Sequence, residues 1–270
     1  MKNSEKQGIV MMPVIDAHIH FDQYKKEEQN LILDELEKYQ VKALLSVSTN
    51  LNSAQKNLAL ARMDSRVKPA FGFHPEQPLP GEEELQKLLN FIDTHHQDMI
   101  AVGEIGLPYY LKLEAVTMQR DAYIELLEEL IKVAVKYNKP VALHAIYEDA
   151  PIVIDLLEKY SVQKAHFHWF KGDKTTLQHM ENNGYFISFT PDVVYEEEIQ
   201  MIVQNYPLSQ LMVETDGPWP FEGPFQGQMT HPKMMHEAVR VLAKLKKIDL
   251  KEVYQQLHWN TESFYSIAKS

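Results

Sequence analysis

The chain has 270 residues, 44% of them hydrophobic, with no cysteine and a formal net charge of −11. An α/β barrel takes about 250 residues, so one large domain fits this length. The lack of cysteine excludes disulfides, thiolate ligands and a cysteine nucleophile, and leaves nitrogen and oxygen to hold any metal. The acidic balance weighs against tight, extended binding of duplex DNA, which calls for a basic face. Phosphate substrates stay open, because bound divalent cations would reverse the local field.

In chain order, residues 1–12 predict a short N-terminal extension whose apolar run, 8–12, is too short for a secretory leader. Short β-rich runs then alternate with helical stretches. A strand at 14–21 precedes a helix at 27–39, in which Leu31, Leu33, Leu36 and Tyr39 recur on a roughly helical period. Strands at 41–48, 67–74 and 100–106 are separated by helices at 54–63 and 82–95. The longest helical stretch, 114–137, stops before Asn138, Lys139 and Pro140. Strands at 140–145, 164–170, 185–190 and 211–216 alternate with helices at 149–160, 175–183 and 196–205. A Gly/Pro-rich loop follows, then helices at 233–247, 250–258 and 261–268. Strands alternating with helices imply parallel pairing through right-handed crossovers. The predicted architecture over 1–270 is therefore one (β/α)8 TIM barrel, with an open doubly wound sheet as the alternative. No stretch approaches the ~20 apolar residues of a membrane span, so a cytoplasmic protein is expected.

Barrel enzymes carry their chemistry at the C-terminal ends of the strands, and metal-ligand types stand at five of the predicted ends. Asp16-Ala17-His18-Ile19-His20 closes the first run. Residues two apart on a strand share a face, so His18 and His20 project together, although such a pair also fits two separately packed histidines. Glu104, between Gly103 and Gly106 in the fourth run, is costly in an apolar strand unless paired or bound to a cation. Its two oxygens suit a bridge between metals. His144 ends the fifth run and His168 the sixth; His166 has the same parity and lies one layer deeper. Asp216 closes the eighth run before Gly217 and Pro218. Together these residues offer four imidazoles and two carboxylates on one rim, a set that suits two divalent ions.

The motifs DAHIHFD (16–22), GFHP (72–75), GEIGL (103–107), LH (143–144), HWFKG (168–172) and ETDGP (214–218), with the late Asn260, together make the chain similar to the TatD-like metal-dependent hydrolases. The similarity runs from Val14 to about Ile267. It implies a TIM barrel and a hydrolase, often a deoxyribonuclease. By this resemblance His18, His20 and Asp216 hold one metal, His144 and His168 the second, and Glu104 lies between them. His74 resembles a pocket residue that is not a ligand; as a plain rim histidine it would be fixed by Pro75. Three places depart from the family pattern. Pro108 follows GEIGL where Asp is usual, and Ile146 stands where an Arg is usual. The stretch Pro224-Phe225-Gln226-Gly227-Gln228-Met229 lacks the usual arginine. Missing arginines remove phosphate clamps, for which Lys171 and Lys112 offer only point charges.

The expected activity is hydrolysis of a phosphoester by water activated between two divalent ions (Zn, Mn, Co, Fe or Mg), with Asp216 and Glu104 as the catalytic carboxylates. His74, Lys171, Trp169 and Trp219 are the expected substrate-pocket residues. Tyr109, Tyr110, Trp169 and Trp219 can either stack on a base or pack their loops. The expected partner is a phosphoester substrate, including short or single-stranded nucleic acid, with no membrane and no obligate protein partner. Two other readings stand beside this one: a lactone or amide hydrolase on the same barrel, and a non-enzymatic relative that keeps its metals.

Overall fold

The computed structural model describes residues 11–114 and 119–267; the first ten residues of the expected extension lie outside them. The strands are β1 (Val14–Ile19), β2 (Val41–Ser46), β3 (Val67–Phe71), β4 (Ala101–Gly106), β5 (Val141–His144), β6 (Ala165–Phe167), β7 (Phe186–Phe189) and β8 (Leu211–Val213). The helices are α1 (Lys26–Glu35), α2 (Leu51–Met63), α3 (Glu82–His95), α4 (Tyr109–Glu114), α5 (Arg120–Tyr137), α6 (Asp149–Lys159), α7 (Lys174–Asn182), α8 (Glu197–Asn205), α9 (Met235–Lys246) and α10 (Leu250–Tyr265).

The eight strands pair in parallel in sequence order, β1 through β8. Just beyond β8 the ring closes: Asp216 N–H donates to His18 O at 2.9 Å, and His20 N–H to Gly217 O at 2.7 Å. This is the TIM barrel, and closure removes the open-sheet alternative. Side-chain alternation sorts the core into two layers. Val141, Leu143, Phe167, Ile187, Leu211 and Val213 face the helices in the main cluster. Ile15, Ala17, Ala43, Leu45, Val47, Ala70, Ala101, Ala142 and Met212 form a second cluster with Phe264 and Tyr265 from the end of α10. This is the barrel interior, since Ala142 shares parity with His144, and Met212 with Glu214 and Asp216. Small interior side chains leave room for the imidazoles at the top.

Local chemistry sets the element ends. Asn50, Asp173 and Asp249 accept backbone N–H groups as side-chain caps of α2, α7 and α10. Helix α5 stops at Asn138, which takes the left-handed conformation (φ 50°) two residues before Pro140. Several expectations need correction. The helix predicted over 114–137 starts at Arg120, Glu114 ends the separate rim helix α4, and residues 115–118 lie outside the described residues. The two helices predicted at 250–258 and 261–268 are one helix, α10, for the described part. No breaker separates them, and the buried Asn260 amide donates to Leu208 O and Leu211 O at 2.7 Å each, tying the helix to the foot of β8. All strands but β4 end one to three residues earlier than predicted, because the chain leaves the ladder to aim side chains into the mouth. Asp216 (φ 49°) and Trp169 (φ 37°) sit in the left-handed region at those exits.

Candidate metal centre

All six residues expected as ligands converge at the C-terminal mouth. Glu104 is the hub, fully buried and split between two donor sets. Its Oε2 lies 3.1 Å from His18 Nε2 and 3.2 Å from His20 Nε2. Asp216 Oδ1 lies 3.5 Å from both of those nitrogens. The other Glu104 oxygen, Oε1, lies 3.0 Å from His144 Nδ1 and 2.8 Å from His168 Nε2, and these two nitrogens are 3.2 Å apart. The rings of His18 and His168 stack at 3.9 Å between centroids. Gly106 allows β4 to approach β5 this closely: a Cβ there would stand 1.9 Å from His144 O.

The outer nitrogens show what the inner ones offer. His144 Nε2 is 3.1 Å from Glu76 Oε1, a carboxylate that also accepts Tyr110 N–H at 2.8 Å and Leu111 N–H at 2.6 Å. His168 Nδ1 faces Glu214 Oε1 at 3.5 Å. With protons on those outer nitrogens, His144 Nδ1 and His168 Nε2 present lone pairs to each other and to Glu104 Oε1. Three acceptors then meet with no hydrogen between them, an arrangement a cation resolves. Asp216 Oδ1 in the other set is buried without a hydrogen-bond partner. Carboxylate backing of a ligating imidazole is the usual outer support of a metal site. The residues present therefore fit divalent metal binding.

In the metal-free cluster, protons supply the positive charge that these acceptors call for. Against the burial that disfavours its charge, Glu104 is held well below the usual carboxylate range by His74, His168 and His18. Burial likewise opposes charge on His168, but Glu104 and Glu214 hold it well above the ordinary histidine value. Burial drives His18 well below that value, with the charge of His168 adding to the effect. Asp216 is pushed up, first by burial. A buried carboxylate tied to several imidazoles is a charge arrangement that needs partners to persist.

Other sequence candidates fall around this centre. His74 Nε2 points at Glu104 Oε1 from 3.4 Å, while its Nδ1 accepts Glu76 N–H at 3.1 Å. That acceptor role leaves the proton on Nε2 in a neutral ring, while His74, Glu104 and His144 also stand close enough together to form a possible donor group. His166 lies deeper, bonded to Tyr265 Oη and Ser188 Oγ, and burial pushes it down to about 3. Trp169 donates Nε1–H to Asp192 Oδ2 at 2.6 Å and packs edge-on against Trp219 at 6.2 Å. Trp219 is 59% exposed, and the Lys171 ammonium sits over the Trp169 ring at 5.4 Å. Tyr110 stands across the mouth with its ring 6.3 Å from His144. Lys112 is engaged by Glu148 at 2.8 Å and Asp149 at 3.5 Å, and Ile146 is buried. Sequence reasoning missed Glu76, and it left Asp16 and Glu214 without roles. The Asp16 carboxylate accepts Thr215 N–H and Oγ1–H, locking β1 to β8 below the ligands, and burial pushes it up to about 8. Only the run GFHPE pointed toward Glu76, an acid beside the turn that presents His74.

Among the described residues, no helix is long and apolar enough to cross a membrane. The profile of the family described as TatD related DNase matches residues 15–266. The chain is 40% identical over 255 residues to an uncharacterized metal-dependent hydrolase from Haemophilus influenzae, covering 94% of this chain and 100% of that one. It is 26% identical over 252 residues to deoxyribonuclease TATDN3 from Homo sapiens, covering 90% of each. Among solved structures, YJJV, a TatD homologue from Escherichia coli K12, superposes with a TM-score of 0.86 at 26% identity, over 94% of this chain and 98% of that one. A TatD family hydrolase from Entamoeba histolytica shares the fold at a TM-score of 0.82 and 19% identity, over 95% and 99%. Barrel, donor cluster and similarity along the whole barrel agree: the chain belongs to the TatD family of metal-dependent hydrolases.

Proposed function

We propose that this protein hydrolyses phosphoester bonds in small or single-stranded substrates, using two divalent ions. One observation carries the reading: the two oxygens of Glu104 face two separate donor sets. His18, His20 and Asp216 would hold the first ion, His144 and His168 the second, with Glu104 shared. Such ions, when bound, lower the pKa of water and polarise an ester oxygen. The chain supplies the rest. Asp216 would face the first ion through Oδ1, which has no hydrogen-bond partner, and its other oxygen is the proton acceptor. His74 Nε2–H, aimed at Glu104 Oε1 with its ring fixed by the Glu76 backbone bond to Nδ1, is a donor at the rim of the same cluster. Trp169 and Trp219 on one side and Tyr110 on the other offer flat apolar faces to a base or aromatic leaving group.

The preference for short substrates rests on charge. The net charge of −11 opposes a long polyanion. The loop after β8 has no arginine between Pro224 and Met229, and Lys112 is already paired. Ions at the centre would anchor one or two phosphates, so added length contributes little affinity. The test is kcat/KM per scissile bond for a nitrophenyl phosphodiester, a short single-stranded oligonucleotide and a long duplex, at fixed salt and metal, with a lactone and an amide in the same panel. The proposal expects turnover of the two short phosphoesters to exceed that of the duplex. Fastest cleavage of the long duplex would overturn the charge argument, and turnover of lactone or amide alone would overturn the phosphoester assignment.

A further inference from the structure

Beneath the centre, a buried chain of hydrogen bonds crosses the barrel interior. Tyr265 Oη, at the end of α10, is 2.6 Å from His166 Nδ1. His166 Nε2 is 2.6 Å from Ser188 Oγ on β7. Ser188 Oγ–H donates to Glu214 Oε2, and Glu214 Oε1 faces His168 Nδ1 at 3.5 Å. All five of these residues are 4% exposed or less, and Tyr265 belongs to the interior cluster.

With Glu214 as the ionised carboxylate, the direction of every proton in this chain follows from it. Glu214 accepts at both oxygens: Trp169 N–H donates to Oε1 at 2.8 Å and the Ser188 hydroxyl to Oε2. A serine hydroxyl has one proton. Having given it to Glu214, Ser188 Oγ can only accept, from His166 Nε2–H and from Trp169 N–H at 3.3 Å. His166 therefore carries its proton on Nε2. A neutral ring then has a bare Nδ1, which Tyr265 fills as the donor. At the other end, His168 Nδ1 is buried without a hydrogen-bond partner, and Glu214 Oε1, 3.5 Å away, is the carboxylate oxygen placed to receive its proton. When a cation replaces the proton that His168 Nε2 shares with Glu104 Oε1, Nε2 is the nitrogen left with a lone pair for the centre.

We infer that Tyr265, His166 and Ser188 are positioning residues. They form a one-way hydrogen-bond chain that orients Glu214, fixes the metal-binding tautomer of His168 and ties metal affinity to the docking of α10. This rests on the metal-centre reading above and extends it from the mouth to the opposite end of the barrel. If Tyr265 loses its hydroxyl, His166 is free to move its proton to Nδ1. Ser188 can then turn its own proton toward His166 Nε2, and Glu214 loses the donor that holds it.

Two measurements test this. In metal-free protein labelled with 15N-histidine, long-range proton–nitrogen correlation reads the tautomer of His166; Nε2–H is expected, and an Nδ1–H ring reverses the chain and overturns the inference. In chelator competition for Zn(II), Ser188→Ala should weaken binding about tenfold, the lower end of outer-support losses, and Tyr265→Phe about threefold. The double variant should bind no more weakly than Ser188→Ala alone, because a broken chain cannot be broken again. Additive losses, or parent-like affinity in folded variants, would overturn the coupling. Parent protein that binds no Zn(II) would overturn the metal-centre reading and the coupling with it. Unchanged melting of the metal-free variants separates the effect from a packing defect, and if Tyr265→Phe does not fold, the tautomer of the parent protein decides alone.

Discussion

Replacing Glu76 probes the centre without replacing a candidate ligand. Glu76→Ala deletes the 3.1 Å contact to His144 Nε2 and the acceptor for two backbone N–H groups at the start of α4. Loss of an outer carboxylate behind a ligating histidine weakens metal binding by roughly 10–100-fold, which is about 1.4–2.8 kcal/mol. The two lost backbone bonds together cost about 1–3 kcal/mol, at the lower end because α4 lies on the rim. Glu76→Gln retains one oxygen for His144 Nε2–H but presents an amide to one of the backbone donors. It should therefore recover part of the affinity and little of the stability. Chelator competition with Zn(II) reads the first quantity and thermal unfolding of the metal-free protein the second. Zinc affinity equal to the parent in a folded Glu76→Ala protein would refute the reasoning, because His144 would then need no carboxylate to hold its tautomer.

Three further outcomes follow from the same geometry. Burial pushes Asp192 up to about 6 from an ordinary 3.8. The unfolded chain thus ionises before the folded one, and stability should fall as pH rises from about 4 to about 6, by up to ~3 kcal/mol at 1.36 kcal/mol per unit. Asp192→Asn should flatten that window in denaturant titrations at several pH values; an unchanged slope would show that the carboxyl ionises freely. Glu104→Ala should lose more bound metal per chain than His144→Ala after identical loading, measured by elemental analysis, and equal content would remove Glu104 as the shared group. Gly106→Ala would put a Cβ 1.9 Å from His144 O and should lower stability by about 1–3 kcal/mol, with unchanged melting contradicting the close approach of β4 and β5.

The sequence made the barrel and the donor set legible for physical reasons. Eight short apolar runs separated by amphipathic stretches leave few topologies, and His18, Glu104, His144, His168 and Asp216 stand at run ends where apolar packing does not call for them. The ends of elements were less legible. His20, Trp169 and Asp216 lie beyond the last ladder bond, in backbone conformations set by closure of the ring rather than by local preference. The continuity of α10 depends on Asn260 bonding the foot of β8, a long-range contact that a local pattern cannot contain. The supports behind the candidate ligands were least visible. Glu76 is one acid in a loop, and it becomes meaningful only when folding brings it to His144, 68 residues away. His166 and Ser188 look like ordinary interior residues until the direction of their hydrogen bonds is followed.

The central claim is that the two faces of Glu104 serve two ions, and anomalous diffraction from crystals loaded with Zn(II), recorded on both sides of the zinc edge, tests it most directly. The account predicts two peaks, one among His18 Nε2, His20 Nε2, Glu104 Oε2 and Asp216 Oδ1, the other among Glu104 Oε1, His144 Nδ1 and His168 Nε2. Absence of a peak between those atoms, or zinc bound only elsewhere on the chain, would contradict it.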